Sequence, residues 1–184
     1  SWEMASTSVI EDVRSCKDGD TPALSVVVIG RNEGARLERC LESVRLADYP
    51  RQFMELIYVD SGSTDGSCAL AERLGARVVQ IESGRPCAAA ARNAGFRAAR
   101  FDLVHFLDGD TLVEADWLRT AVSVMHETGA ACVFGCRVEI DPRKSLYMRV
   151  ASLEWYVPPG PASFCGGDAL FRRHALEAVG GFNE

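Results

Sequence analysis

Four short apolar runs, LSVVVIG (24–30), ELIYV (55–59), RVVQI (77–81) and LVHFL (103–107), alternate with segments whose apolar residues recur at helical spacing. Such runs, rich in β-branched residues and bounded by Gly, Asp and Asn, suit strands covered on both faces. After the first, Leu37, Cys40, Leu41 and Val44 recur at i, i+3, i+4 and i+7, one face of an amphipathic helix that Asp48, Tyr49 and Pro50 bring to an end. A second helix is expected over 67–74, with Thr64 or Asp65 as its N-cap and Gly75 as its stop. The alanine-rich stretch 87–100 gives a third. Leu118, Ala121, Val122 and Met125 mark a fourth, ending near Gly129. Strands separated by helices form βαβ units, so the expected fold is α/β, a Rossmann-like, mostly parallel sheet flanked by helices. Right-handed crossovers then bring the carboxyl ends of the first four strands to one edge. A fifth strand is expected over 131–140. Beyond Asp141-Pro142 the pattern changes to a possible helix over 144–155, a rigid Pro-rich loop over 156–163, a short strand over 169–171 and a last helix opening at Arg172-Arg173-His174.

Polar and acidic residues cluster where three of these strands end. Arg31, Asn32 and Glu33 come after the first; a cluster from Asp60 to Asp65 comes after the second; Asp108, Gly109 and Asp110 come after the fourth. In an open α/β sheet, ligands bind in the crevice beyond the carboxyl ends of the strands. On a strand, Asp108 and Asp110 point to the same face with Cα atoms roughly 6–7 Å apart. That is wide for both to grip one small ion unless Gly109 turns the chain. One acid is then expected to ligate a hard divalent cation through oxygen while the other accepts hydrogen bonds from a ligand. Gly109, lacking Cβ, is expected to leave room for a diphosphate. The alternative for an isolated Asp-Gly-Asp is a turn closing a hairpin. Three acidic loops on one rim are harder to explain as turns. Neither G-x-G-x-x-G nor G-x-x-x-x-G-K-[ST] occurs after the first strand, so acids stand where other nucleotide-binding folds place a glycine-rich phosphate loop.

The 184 residues suit one domain, with 1–22 read as a flexible arm and 23–184 as the domain. A net charge of −6 argues against a general nucleic-acid binder, which must neutralise phosphates. No apolar stretch approaches the ~20 residues of a transmembrane helix, and the first residues lack the basic and apolar regions of a secretory signal. A soluble, cytoplasmic protein is expected. The seven cysteines are scattered. Cys132 and Cys136 would lie about 13 Å apart on a strand, too far for a disulfide, so most are read as small core residues. His105 is read as a satisfied core histidine, His126 as a helix-end residue and His174 as a surface residue.

The segments VVVIGRNEG, IYVDSGSTDGS, AARNAGFRAA, FLDGD and GGDALFRRHALEAVGGFNE, in this order, resemble the family 2 glycosyltransferases of the A-type fold. The resemblance covers nearly all of 24–184. It implies an enzyme that moves a sugar, with inversion, from a nucleoside-diphosphate sugar, usually UDP-linked, to an acceptor hydroxyl on a glycan, a lipid-linked carrier or a small molecule. Glu33 and Asp60 match acids that contact the ribose and base, with Arg31 and Asn32 on the same lip. Arg92 matches an arginine near the donor, and Asp108 and Asp110 the D-x-D motif, Asp110 being the expected ligand of Mn²⁺ or Mg²⁺. Gly166, Gly167 and Asp168 match a segment bordering the sugar and acceptor. The resemblance also implies a general base in an acidic pair beyond Glu184, so the chain is expected to lack its C-terminal part; Glu184 itself does not match that spacing. Lipid-linked acceptors would place the protein at the inner membrane face. Two other readings stand beside this one, a nucleotide-sugar-binding module without a base and a sugar-nucleotide nucleotidyltransferase. The latter would carry a glycine-rich basic loop where Arg31-Asn32-Glu33 stands.

Overall fold

The computed structural model describes residues 21–82, 87–135 and 168–184. Strands β1 (Leu24–Gly30), β2 (Met54–Asp60), β3 (Arg77–Gln80) and β4 (Leu103–Asp108) coincide with the four apolar runs. Helices α1 (Ala35–Arg45), α2 (Ser67–Arg73), α3 (Ala88–Ala98) and α4 (Trp117–Thr128) lie between or after them. A two-residue strand β5 (Cys132–Val133), a strand β6 (Ala169–Arg172) and a short helix α5 (Arg173–Ala178) complete the described elements.

The sheet order is β3-β2-β1-β4-β6-β5. β1 to β4 are mutually parallel, whereas β6 runs antiparallel to both β4 and β5. From β1 the chain steps outward to β2 and β3, then returns to lay β4 on the other side of β1. The topological switch point therefore falls between β1 and β4, and the crevice it opens lies beyond Gly30 and Asp108.

Alternation along β1 divides the core. Val26 and Val28 face Leu37, Cys40, Leu41 and Val44 of α1, with Ala71 and Leu118 in the same cluster. Val27 and Ile29 face the layer of Ala91, Ala94 and Leu176. Full burial of each of Leu37, Leu41 and Val44 contributes about 1.5–3 kcal/mol over exposure. Gly95 lets α3 settle on the sheet, since a Cβ there would lie 2.2 Å from Val27 Cγ1. Gly75 (φ +86°) ends α2 as expected: its N–H bonds Glu72 C=O (2.9 Å) and that of Ala76 bonds Ala71 C=O (2.9 Å), the Schellman pattern.

Several local expectations change. The N-cap of α2 is Gly66, at φ +81°, not Thr64 or Asp65; Asp65, one residue earlier, nonetheless accepts the Ser67 N–H at 3.1 Å. β5 is confined to two residues among those described, and the rest of the expected fifth strand, the helix over 144–155 and the loop over 156–163 lie outside the described residues. So do residues 1–20 of the arm, but Pro22 is held, its C=O accepting the Tyr49 hydroxyl. Among the described cysteines only Cys40 is buried, Cys68, Cys87 and Cys132 being half-buried. Among the described residues no helix is long and apolar enough to cross a membrane.

Candidate functional site

The antiparallel ladder between β4 and β6 has Phe106 and Ala169 as its last pair. Two residues further on, the Asp108 N–H donates instead to the side chain of Asp168 (2.8 Å), whose other oxygen accepts the Thr111 hydroxyl (2.9 Å). The Gly109 N–H donates to Ile29 C=O at 2.8 Å, and the Thr111 N–H to Asp108 C=O at 2.9 Å. Together these bonds turn the chain sharply, leaving Asp110 exposed at the tip. Gly109 is explained differently from the expected open cradle. It is buried, and an added Cβ would lie 3.0 Å from Ile29 O and 3.3 Å from Glu33 Cγ, so packing here favours glycine.

Behind the turn, Arg92 on α3 places Nη2 2.8 Å from Asp108 Oδ1, with only 14% of its side chain exposed. The next residue, Asn93, faces the chain's last turn. Its Nδ2 donates to Phe182 C=O (2.9 Å) and to Glu184 Oε1 (2.8 Å), and its Oδ1 accepts the Phe182 N–H (2.8 Å). Phe182 in turn packs edge-on against Phe106 (5.0 Å) and Phe171 (5.7 Å), and the Arg92 guanidinium lies 5.8 Å from its ring centroid. The Ala-Arg-Asn-Ala-Gly segment thus makes three tertiary contacts, through Arg92 to the acid turn, Asn93 to the Gly-Gly-Phe turn and Gly95 to the sheet. Sequence reasoning found only Arg92.

The loops after β1 and β2 are clasped together. Asn32, at φ +52°, donates its N–H to Ser63 Oγ (2.9 Å) and accepts the Thr64 N–H on Oδ1 (2.7 Å). Asp65 Oδ2 accepts the Gly34 N–H at 3.0 Å, and hydrogen bonds led by that of the Ser67 hydroxyl hold its carboxyl below the usual range. Asp60 is 1% exposed. Its oxygens accept from the Tyr58 hydroxyl (2.8 Å) and from the N–H groups of Gly62 (3.1 Å) and Ser63 (2.8 Å). Burial pushes its pKa up, but the bonds from Ser63, Tyr58 and Gly62 outweigh this and hold it below the usual carboxylate range. Asn32 and Asp60 therefore shape the lip from within, Asn32 by bonding the loop after β2 and Asp60 by holding its own loop. Arg31 lies exposed beside them.

Glu33 lies between the loops and the acid turn, paired with Arg36 at 3.0 Å. Burial raises its pKa, Arg36 opposes this, and Asp110, Asp108 and Asp65 raise it further. Burial likewise pushes the Cys40 thiol up to about 12, with Asp168, Asp110, Asp108 and Glu33 adding to the effect. The structure therefore brings together Glu33, Arg92, Asp108, Gly109, Asp110 and Asp168 on one rim; Gly166 and Gly167 lie outside the described residues. Among the described residues no group of three or more ligand side chains forms a ready cation cage. Two hard carboxylates beside an exposed turn fit an ion that takes its remaining oxygens from phosphate and water. His126 and His174 are exposed, as expected. His105 is buried as expected but only partly satisfied: Nε2 accepts the Trp117 indole N–H at 2.8 Å, whereas Nδ1 makes no hydrogen bond among the described residues.

Residues 25–180 match the profile of glycosyl transferase family 2. The glycosyltransferase AglE of Haloferax volcanii is 32% identical over 118 residues, covering 62% of this chain and 39% of that protein. The putative glycosyltransferase EpsH of Bacillus subtilis is 35% identical over 109 residues, covering 55% of this chain and 31% of that protein. The chain thus spans about two-fifths or less of the length of these relatives. Among solved structures, a mannosyltransferase of Pyrobaculum calidifontis in complex with GDP-Man and Mn²⁺ superposes with a TM-score of 0.67 at 31% identity, over 88% of this chain and 48% of that one. TarS 1-349 of S. aureus in complex with UDP-GlcNAc, at 21% identity and a TM-score of 0.64 over 85% of this chain and 47% of that one, shares the fold. With an acid-tipped turn at the switch point of this sheet and a profile match over most of its length, the chain belongs to glycosyl transferase family 2.

Proposed function

We propose that the described rim is the donor site of an inverting hexosyltransferase, which moves a sugar from a nucleoside-diphosphate sugar, UDP-linked by the family resemblance, to an acceptor hydroxyl. The observation that carries this reading is the turn at 108–111, which exposes Asp110 at the switch point while Arg92 engages Asp108 behind it. The GDP-Man and Mn²⁺ complex of the Pyrobaculum mannosyltransferase supports a nucleotide-sugar donor and a divalent ion. Because that neighbour carries a guanine nucleotide, GDP is the competing donor class.

In this reading Asp110, with Asp108 beside it, would hold Mn²⁺ or Mg²⁺. When bound, the ion supplies Lewis-acid stabilisation of the charge that grows on the departing diphosphate. The chain's own residues supply position. The clasped loops around Asn32 and Asp60 form a pre-shaped lip for the nucleoside, which lowers the cost of ordering on binding. Glu33 offers hydrogen-bond acceptance beside Asp110, and Arg92 keeps a cationic group at the inner wall. In the transfer step the C1–O bond to diphosphate breaks with its electron pair leaving on the phosphate oxygen. The acceptor oxygen bonds C1 from the opposite face, and its proton passes to a general base. None of the described rim carboxylates is assigned that role. A cytoplasmic site of action is the expectation from the sequence, and a place at the inner membrane face, where the acceptor is lipid-linked, comes from the resemblance.

The test is calorimetric titration of the chain with UDP and with GDP, with and without Mn²⁺, repeated on Asp110→Ala. Mn²⁺-dependent binding of one nucleotide that disappears in the variant is expected. A folded chain that binds neither nucleotide would overturn the donor-site reading.

A further inference from the structure

We propose that Asp168 is a positioning residue for the acid turn, and that its hydrogen bonds to Asp108 and Thr111, rather than its charge, are what the turn requires. The resemblance had placed this residue beside sugar and acceptor. In the structure its two oxygens face into the turn, one on the Asp108 N–H (2.8 Å) and the other on the Thr111 hydroxyl (2.9 Å). These two partners bracket Gly109 and Asp110, so the carboxylate spans the base of the turn that presents Asp110.

Two features carry the assignment. First, the backbone ladder between β4 and β6 has ended at Phe106 and Ala169, and the side chain of Asp168 supplies the acceptor that the ladder does not give to Asp108. An amide left unbonded there would free the end of β4. Second, the opposite side of the turn is already fixed, by the Gly109 N–H on Ile29 C=O and the Thr111 N–H on Asp108 C=O. With Asp168 in place the turn is held from both neighbouring strands, β1 and β6. Asparagine retains both bonds, with Oδ1 accepting the amide and Nδ2 donating to the Thr111 oxygen.

The inference rests on the donor-site reading for its binding arm; its exchange arm does not. Amide hydrogen exchange by NMR is measured at Asp108, Gly109 and Thr111 in wild type, Asp168→Ala and Asp168→Asn, alongside Mn²⁺-dependent titration with UDP and GDP. In Asp168→Ala, protection at Asp108 should fall, and nucleotide affinity should drop about 10- to 100-fold, as when groups supporting metal ligands are removed. Asp168→Asn should restore both, to within about threefold of wild type in affinity. Equal loss in Asp168→Asn and Asp168→Ala would show that the charge itself acts on ion or sugar, and would overturn the proposal. Unchanged protection in Asp168→Ala would overturn it as well. Should Asp168→Ala fail to fold, Thr111→Val removes one bond and leaves the carboxylate; lowered protection at Asp108 and Thr111 supports the proposal, and unaltered protection overturns it. If wild type binds neither nucleotide, the donor-site reading falls, and the exchange measurements alone decide the role of Asp168.

Discussion

At the amino end of the sheet, Glu55 accepts from Ser25 Oγ (2.6 Å), from the Arg100 N–H (2.6 Å) and from Arg100 Nε (2.9 Å), with Arg77 at 3.8 Å. At the carboxyl end, Glu33 has Arg36 for a partner and stands near Asp110, Asp108 and Asp65. Burial raises the pKa of both. At Glu55 the bonds from Ser25 and Arg100 overcome it and the pKa is lowered; at Glu33 Arg36 opposes it, the neighbouring acids reinforce it, and the pKa stays raised. One end is a matched network that ties β1 to β2 and to the start of β4. The other gathers Glu33 with Asp108, Asp110 and Asp65, and the described ion pairs there are Arg36 with Glu33 and Arg92 with Asp108, an arrangement that suits a site taking up a cation with its anionic ligand. Burial of an acid is common to both ends; the supply of donors separates structure from site.

The largest expected effect comes from between the two ends and has to be separated from them. Burial lowers the His105 pKa from 6.5 to about 4. The unfolded chain then binds the extra proton first, so this contribution is complete above pH 6.5 and is lost as pH falls towards 4, by about 3 kcal/mol. Urea denaturation across that range should show the loss, and His105→Phe should remove this component of the acid limb. Next in size, Asp110→Ala should weaken Mn²⁺-dependent nucleotide binding at least about 100-fold while leaving the denaturation midpoint within the range of ordinary surface substitutions. A large loss of stability instead would make the rim structural and erase the contrast.

Glu55→Gln should do the opposite. Removing the charge from the matched network should cost about 1–2 kcal/mol, held to that range because Arg100 is itself largely exposed, with nucleotide affinity unchanged by titration. Its pH signature comes from its lowered pKa: the stabilisation is present above the unfolded value near 4.5 and is lost as pH falls through the folded one. Smallest of all, Glu33→Gln should raise stability by under about 1 kcal/mol near neutral pH. Its raised pKa means that the folded state binds the proton more tightly, so the gain over wild type should vanish as pH falls below about 4.5. Chemical denaturation of both variants at pH 7 and pH 4 would sharpen the comparison, and two pH trends of the same sign would break it.

The elements of the three βαβ steps from β1 to β4 were legible because each buries one face or both faces, and burial imposes a period that a single sequence displays. Leu37, Cys40, Leu41 and Val44 announced α1 in this way, and Gly75 and Gly129 announced the ends of α2 and α4. The acid rim was legible as well, since polar clusters after buried strands have few other places to go. The roles of single residues within it were not. Asn93 bonds a turn 89 residues away, Asn32 one 32 residues away, and Asp168 one 60 residues away. None of these bonds leaves a period, and Asn or Asp in a loop reads the same whether it holds backbone or waits for a ligand. Gly109 illustrates the same limit, because absence of a Cβ is visible in sequence while the atom that would fill its place is not.

By itself the sequence determined the alternation of strand and helix, the apolar face of the amphipathic helices and the edge at which the acids gather, because hydrophobic burial at fixed periods is a local signal. Tertiary structure alone decided that β6 returns antiparallel beside β4, which sets Asp168 under the acid turn, Arg92 against Asp108 and Phe182 beneath Arg92. Those contacts depend on where separate elements meet, and side-chain hydrogen bonds reach only about 3 Å, so their partners exist only once packing has brought distant backbone together.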